Sequence, residues 1–126
     1  MPWRSTKEDI VVANGSNTTI DTISILDGAK RLNIEIDNSA HKALDAFIIQ
    51  VRPTPSASFY TVANATSDFT TAVQFPFELS SGDFTTLAAG ASAMLMMDCL
   101  NISEVKLLAS AGATSDTTVD LRWQVR

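Results

Sequence analysis

Residues able to do acid–base, nucleophilic or metal chemistry are few in this chain of 126 residues, which has one histidine and one cysteine. His41 lies in the segment Asn38-Ser39-Ala40-His41-Lys42, whose composition is typical of a turn. A catalytic triad needs a histidine that a carboxylate orients within a pocket, whereas a histidine beside a lysine in a turn is ordinarily exposed. Zinc sites need three or four ligands, so one histidine and one cysteine do not suffice.

Cys99 lies in the apolar run Met94 to Leu100. A reactive thiol needs a nearby base and an open site, and the surrounding sequence shows neither. The sequence therefore predicts that Cys99 is a small buried apolar side chain. As the only cysteine, it has no partner for an intrachain disulfide.

Paired carboxylates are the remaining catalytic candidates, since glycoside hydrolysis uses two of them. The pairs are Glu35 with Asp37 and Glu8 with Asp9. Glu35 and Asp37 alternate with large aliphatic residues, which places them on the outer face of a strand as solvated charges. Oxygen ligands for calcium occur in two segments, but the Asp-x-Asp-x-Asp spacing is absent from both; the segments are Asn64 to Asp68 and Ser80 to Asp83. No glycine-rich phosphate loop occurs, and we expect no enzyme activity, cofactor or metal.

Strict alternation of apolar and polar residues marks two long strands. Leu32, Ile34 and Ile36 occupy every second position in the first of them. The second runs from Thr117 to Arg126, and Trp123 alternates with aliphatic residues on its inner face. A period of two residues predicts a sheet with one buried and one solvent-exposed face. Trp123 is therefore expected in the core.

Turn signals recur about every ten residues along the chain, which is typical of an antiparallel sandwich or a small barrel. With charged residues at only 18%, the chain lacks the Glu, Lys and Arg pairs of exposed helices. The segment Ala88 to Leu100 is the one rival helix, because Ala and Met favour helix, but Gly90 and its short span favour a strand. We predict an all-β, antiparallel β-sandwich of about eight strands, jelly-roll or Ig-like, over residues 10–126.

Residues 1–9 show no periodicity and are predicted to form an N-terminal arm. Trp3 lies in this arm together with the cations Arg4 and Lys7. A tryptophan contributes strongly when it docks on a partner. We therefore predict partner contacts through Trp3, Arg4, Lys7 and the separate aromatic residue Tyr60.

The net charge of −5 and the pI of about 4.6 argue against nucleic-acid binding, which depends on Lys and Arg at phosphates. The opening segment is polar and charged, unlike a signal peptide. No apolar stretch reaches the ~18 residues of a spanning helix. The sequence predicts synthesis in a cytoplasm and no membrane contact.

Four runs resemble small β-sandwich virion proteins of tailed bacteriophages. The similarity spans residues 31–126, and the runs are Leu32 to Ser39, Ala43 to Phe47, Thr86 to Ser92 and Glu104 to Ala111. The resemblance implies a capsid decoration (cement) protein, or else a neck or tail component. The resemblance assigns no function to particular residues of this sequence.

Decoration proteins of this type commonly form trimers on the outside of the head and bridge neighbouring capsomers. The resemblance therefore implies a homotrimer, a major capsid protein as partner, and a place on the capsid surface of a virion made in host cytoplasm. The competing class is a carbohydrate- or receptor-binding module on the same architecture, for which Tyr60 is the candidate contact.

Overall fold

The computed structural model describes residues 3–25, 28–38, 43–64, 77–81, 87–99, 101–111 and 115–126. Within these ranges the secondary structure is entirely β, so the predicted all-β class is confirmed, and the Met-rich segment is a strand. The strands are β1 (Trp3–Val12), β2 (Thr18–Ser24), β3 (Arg31–Asn38), β4 (Leu44–Arg52), β5 (Tyr60–Asn64), β6 (Phe77–Ser81), β7 (Ser92–Asp98), β8 (Glu104–Ala111) and β9 (Thr117–Val125).

Two antiparallel sheets make up the sandwich. Sheet A has the order β1-β9-β3-β7-β6, and sheet B has the order β2-β8-β4-β5. Apart from the hairpins β4–β5 and β6–β7, every connection between consecutive strands crosses from one sheet to the other. Without β6, which is an additional edge strand, the two sheets have the strand order of an eight-stranded jelly roll. Of the two predicted topologies, jelly-roll and Ig-like, the structure therefore has the first.

The apolar core lies between the inner faces of the two sheets. Leu32, Ile34 and Ile36 of β3 are all 0% exposed, and each contributes about 1.5–3 kcal/mol relative to an exposed position. Trp123 is buried on the inner face of β9, as its alternation predicts. Sheet B supplies buried side chains from β2, β4 and β8: Ile20, Ile23, Phe47, Ile49, Val51, Val105, Leu107 and Ala109.

A buried asparagine, Asn38, joins three parts of the chain at the end of β3. Asn38 is only 5% exposed. Its Nδ2 donates to the carbonyl oxygens of Leu87 and Ala88, both at 3.2 Å. Its Oδ1 accepts a hydrogen bond from the Thr117 hydroxyl at 2.9 Å. Because a buried amide is costly unless it is paired, these bonds fix segment 87–91 and the start of β9 relative to β3.

The edge strands of both sheets are irregular. Among the described pairs, the register shifts between Lys7 and Ile10 in β1 and between Thr19 and Asp21 in β2. The β4–β5 and β6–β7 pairs also shift, whereas β3 pairs with both of its neighbours without a shift. Bulges bend an edge strand and disturb the ladder that it would offer to another chain. The four edges are therefore poor templates for further strand pairing.

Residues 3–9, predicted to belong to an arm of residues 1–9, lie in β1, and residues 3–7 of them pair with β9 from Trp3 opposite Val125 onward. Residues 4–9 are all polar or charged, so the sequence shows no alternation of apolar and polar residues here. Asp9 has a positive φ of 54°, and its backbone N–H donates to Oδ1 of Asp120 at 2.9 Å. This conformation interrupts the two-residue alternation by which strands are recognised.

Replacing Asn38 with alanine should lower the free energy of unfolding by about 2 kcal/mol, because two carbonyls and the Thr117 hydroxyl lose a buried partner. Urea denaturation measures this change. Asn14→Ala, at an exposed asparagine, is the matched control and should change stability by less than about 0.5 kcal/mol. Equal effects of the two substitutions would contradict the role given to Asn38.

Candidate functional site

A charged cluster lies on the outer face of sheet A, and we call Arg122, Glu35, Asp37 and Ser92 the Arg122 cluster. Arg122 is directly opposite Glu35 in the β3–β9 register, and its Nε lies 2.6 Å from Oε1 of Glu35. Its Nη2 donates to Oδ2 of Asp37, whose Oδ1 accepts a hydrogen bond from the Ser92 hydroxyl. The hydrogen bond with Glu35, followed by the charge of Asp37, raises the pKa of Arg122, so the guanidinium stays charged.

The cluster is arranged for charge pairing. Glycoside hydrolysis needs a protonated carboxylic acid and a separate carboxylate on opposite sides of the sugar bond. Here Glu35 and Asp37 lie on the same face of one strand and share a single guanidinium. Both of them accept hydrogen bonds from that guanidinium on an exposed sheet.

Beside the cluster is an open concavity of about 540 Å³, which we call the sheet A concavity. Its wall includes one cross-strand row that runs from β1 to β7 through Thr6, Arg122, Glu35 and Met94. The row places a hydroxyl, a guanidinium, a carboxylate and a thioether side by side. A concave surface with a few oriented polar groups is the usual form of a binding site.

Two amide side chains line the same concavity and are directly opposite each other in the register, Asn33 on β3 and Gln124 on β9. Oδ1 of Asn33 and Nε2 of Gln124 are buried and have no hydrogen-bond partner within the part of the chain that the structure describes. Each such atom costs about 1–3 kcal/mol relative to a paired one. This part of the sheet is therefore not optimised for the stability of the isolated chain.

A second cluster lies on sheet B, and we call Phe59, Arg52, Glu104 and Lys106 the Phe59 cluster. The Arg52 guanidinium carbon lies 4.5 Å from the centre of the Phe59 ring, and Nζ of Lys106 lies 4.1 Å from it. Arg52 also donates from Nε to Oε1 of Glu104 at 2.7 Å. Lys106 forms no ion pair with the described residues, so this cluster carries an excess positive charge.

Tyr60 follows Phe59 directly and begins the edge strand β5. It is 63% exposed and lies opposite Val51 of β4. Val11 of β1 is the other large apolar side chain found exposed among the described residues. Tyr60 thus adds an exposed aromatic ring to the side of the Phe59 cluster.

The four residues predicted to contact a partner lie in two places. Trp3, Arg4 and Lys7 are in β1, at one edge of sheet A, and Tyr60 is in β5, at one edge of sheet B. Nothing in the strand pairing brings β5 next to β1. The structure therefore does not join the four into one surface.

Lys7 has contacts within the chain. Its Nζ donates to the carbonyl oxygen of Ile20 at 3.3 Å and lies 3.9 Å from Oδ1 of Asp21. These contacts link the edge strands β1 and β2 across the side of the sandwich. A lysine at a bulged edge also discourages pairing with another strand.

Sequence reasoning placed Glu35, Asp37 and Arg122 correctly on outward faces, but it did not find the cluster that they form. It also missed the Phe59 cluster. A pairing of β3 with β9 and of β4 with β8 is needed to bring these side chains together, and periodicity within one strand carries no information about its neighbours.

Some predicted positions lie outside the described residues. His41 is one of them, and so are residues 65–68 and 82–83 of the two segments that offer oxygen ligands. In the described ranges, no group of three or more His, Cys, Asp and Glu side chains is placed to hold a metal ion. The same ranges contain no helix long and apolar enough to span a membrane.

Cys99 is 1% exposed and lines a cavity of about 610 Å³ at one end of the sandwich, together with Ile25, Pro53 and Ile102. Burial raises the pKa of the Cys99 thiol, and the negative charge of Asp98 adds to this effect, while Arg31 opposes it. The buried apolar position expected from the sequence is the one observed. A thiol that resists ionisation is a poor nucleophile.

The raised pKa makes stability depend on pH in a way that Cys99→Ala should remove. At a pH below 9.0, the ordinary pKa of the thiol, the stabilising effect of the protonated, buried thiol is complete. This effect is lost as the pH rises through the higher pKa of the folded state. Relative to Cys99→Ala, the wild type should therefore lose unfolding free energy above about pH 9. Urea denaturation between pH 7 and 10 tests this, and parallel curves for the two proteins would contradict it.

No protein-family model and no curated protein matches the chain. Among solved structures, it is similar to a chain from the structure of infectious bursal disease virus, Gx strain, with a TM-score of 0.47 and 12% sequence identity. The likeness covers 99% of this chain and 32% of the viral chain, so this chain spans about a third of the length of the protein that it matches.

Proposed function

We propose that this chain is a non-enzymatic structural protein of a virus particle, and specifically a bacteriophage capsid decoration protein. In this role it binds the outer surface of the head and bridges neighbouring capsomers. The observation that carries the proposal is the jelly-roll strand order, an architecture that capsid domains share with lectins and cupins. The resemblance of residues 31–126 to small virion proteins of tailed phages supports the choice among these classes.

The irregular edges fit a protein that is added to a particle in a fixed number of copies. A regular edge strand would allow continued growth by strand pairing, whereas a bulged edge leaves the faces and corners of the sandwich for contacts. The net charge of −5 favours a protein partner over nucleic acid. The proposed partners are the major capsid protein and further copies of this chain, as a homotrimer on the virion surface.

The proposal is tested by mixing the purified chain with phage heads that lack their decoration protein and sedimenting the heads. We expect saturable binding with a fixed number of copies per head, and no binding to heads that are already decorated. Sedimentation of the free protein should give the mass of three 13.5 kDa chains. Binding to purified tails or necks in place of heads would reassign the protein to those parts of the virion.

Point substitutions are better probes of this binding than removal of residues 1–9. Residues 3–9 belong to β1, and residues 3–7 pair with β9, so their deletion removes most of a strand from sheet A. Loss of head binding after such a deletion would not separate a missing contact from a damaged fold. Failure of the intact chain to bind any head preparation is the result that contradicts the proposal.

Tyr60 favours a second candidate function, a carbohydrate- or receptor-binding module. An aromatic ring that is 63% exposed offers a platform on which a sugar ring can stack. Binding of the isolated chain to a glycan array, with loss after Tyr60→Ala and retention after Val11→Ala, would support this function. Absence of glycan binding by the folded wild type would exclude it.

A further inference from the structure

We propose that copies of this chain contact one another head to tail, with Tyr60 and the Phe59 cluster of one copy seated in the sheet A concavity of the next. The inference rests on one part of the proposed function, the self-association. It assigns the two surfaces that meet, which the resemblance does not.

The first surface is aromatic and positive in charge. Tyr60 is exposed at the edge strand β5, and Phe59 beside it carries two cations on its ring. Arg52 is neutralised by Glu104, but Lys106 forms no ion pair within the described residues. Aromatic residues and arginine are enriched in the anchors of protein interfaces.

The second surface is concave and negative. Glu35, Asp37 and Asp120 lie on neighbouring positions of β3 and β9, and Arg122 is the one cation of the described residues that pairs with them. One carboxylate oxygen of Asp120 accepts a hydrogen bond from the Asp9 backbone N–H. These three carboxylates outnumber the two cations of this region, Arg122 and Arg4, which lies opposite Gln124 in the β1–β9 register. The face therefore has an excess of negative charge beside a concavity of about 540 Å³.

Charge complementarity identifies a second copy as the occupant. The chain carries a net charge of −5, so two copies repel each other unless a positive region of one meets a negative region of the other. The Phe59 cluster and the sheet A concavity are such a pair. They lie on different sheets, so one copy can use both at once, as a head-to-tail contact requires.

The two kinds of contact have different roles. Exposed ion pairs contribute only about 0–1 kcal/mol each, so Lys106 and the carboxylates orient the copies and set the rate of association. Burial of the Tyr60 ring supplies the larger share of the affinity. The bulged edges discourage the alternative contact, in which strands of two copies pair directly.

Sedimentation velocity over a range of concentrations tests the contact in the full chain. Tyr60→Ala should raise the dissociation constant for self-association by about tenfold or more, and Lys106→Glu should raise it by about fivefold. Thr6→Lys places a cation in the concavity without changing any member of the Arg122 cluster, and it should weaken association by a similar factor. The double variant Lys106→Glu/Thr6→Lys, which restores opposite charges, should recover most of the affinity.

Lys30→Glu is the matched control, because it reverses an exposed charge outside both surfaces and should leave association unchanged beyond about twofold. Circular dichroism and thermal unfolding of each variant show whether it remains folded. A wild type that stays monomeric at all concentrations overturns the inference. So does association that Tyr60→Ala, Lys106→Glu and Thr6→Lys weaken no more than the control does.

The outcome is independent of head binding. If the charge-swap pattern is found but no phage head binds the protein, the contact between copies stands and the decoration role fails. If heads bind the protein while the three variants behave like Lys30→Glu, the decoration role stands and the assigned surfaces are wrong.

Discussion

The apolar layer between sheets A and B is the constraint on which the other features depend. Because every second residue of a strand must face this layer, the inner residues set the register, and a slip by one position would expose all of them. The same register then fixes which outer residues lie opposite each other. Arg122 lies opposite Glu35, and Thr6 lies opposite Arg122, because Leu121 and Trp123 are held in the core. The charged cluster and the concavity are thus by-products of a register that burial determines.

Buried polar groups occur in two contrasting forms. The Asn38 amide bonds with both its nitrogen and its oxygen, and this pairing specifies how segment 87–91 meets the ends of β3 and β9. Asn33 and Gln124 each contain a buried atom that no described residue pairs with. The first arrangement serves the fold. The second arrangement lowers the stability of the isolated chain, and proteins retain such destabilising groups at surfaces that also have a function.

The sequence predicts which face of a strand each residue occupies far better than it predicts which strands are neighbours. Alternation in β3 and β9 identifies the core residues, including Trp123, because it is a property of a single segment. The choice between jelly roll and Ig-like order depends on which distant strands pair, and no single segment records this. Residues 1–9 were assigned to an arm because residues 4–9 are all polar or charged and show no alternation, and the Phe59 cluster was missed because it draws on β4, β8 and the loop before β5. Tyr60 was recognisable as a free aromatic, but its separation from Trp3 and Lys7 follows only from the strand order.

The position of β9 has a consequence for how the chain is made in a cell. β9 lies between β1 and β3 in sheet A, and contacts such as that of Asp9 with Asp120 join residues 111 positions apart. During translation β1, whose one neighbour in sheet A is β9, therefore stays without its partner strand until β9 emerges, and so does the edge of β3 that faces β9. Folding that depends on such distant pairing is slow and leaves nascent chains open to aggregation. Yield in a heterologous host should accordingly respond to chaperones and to a lower growth temperature.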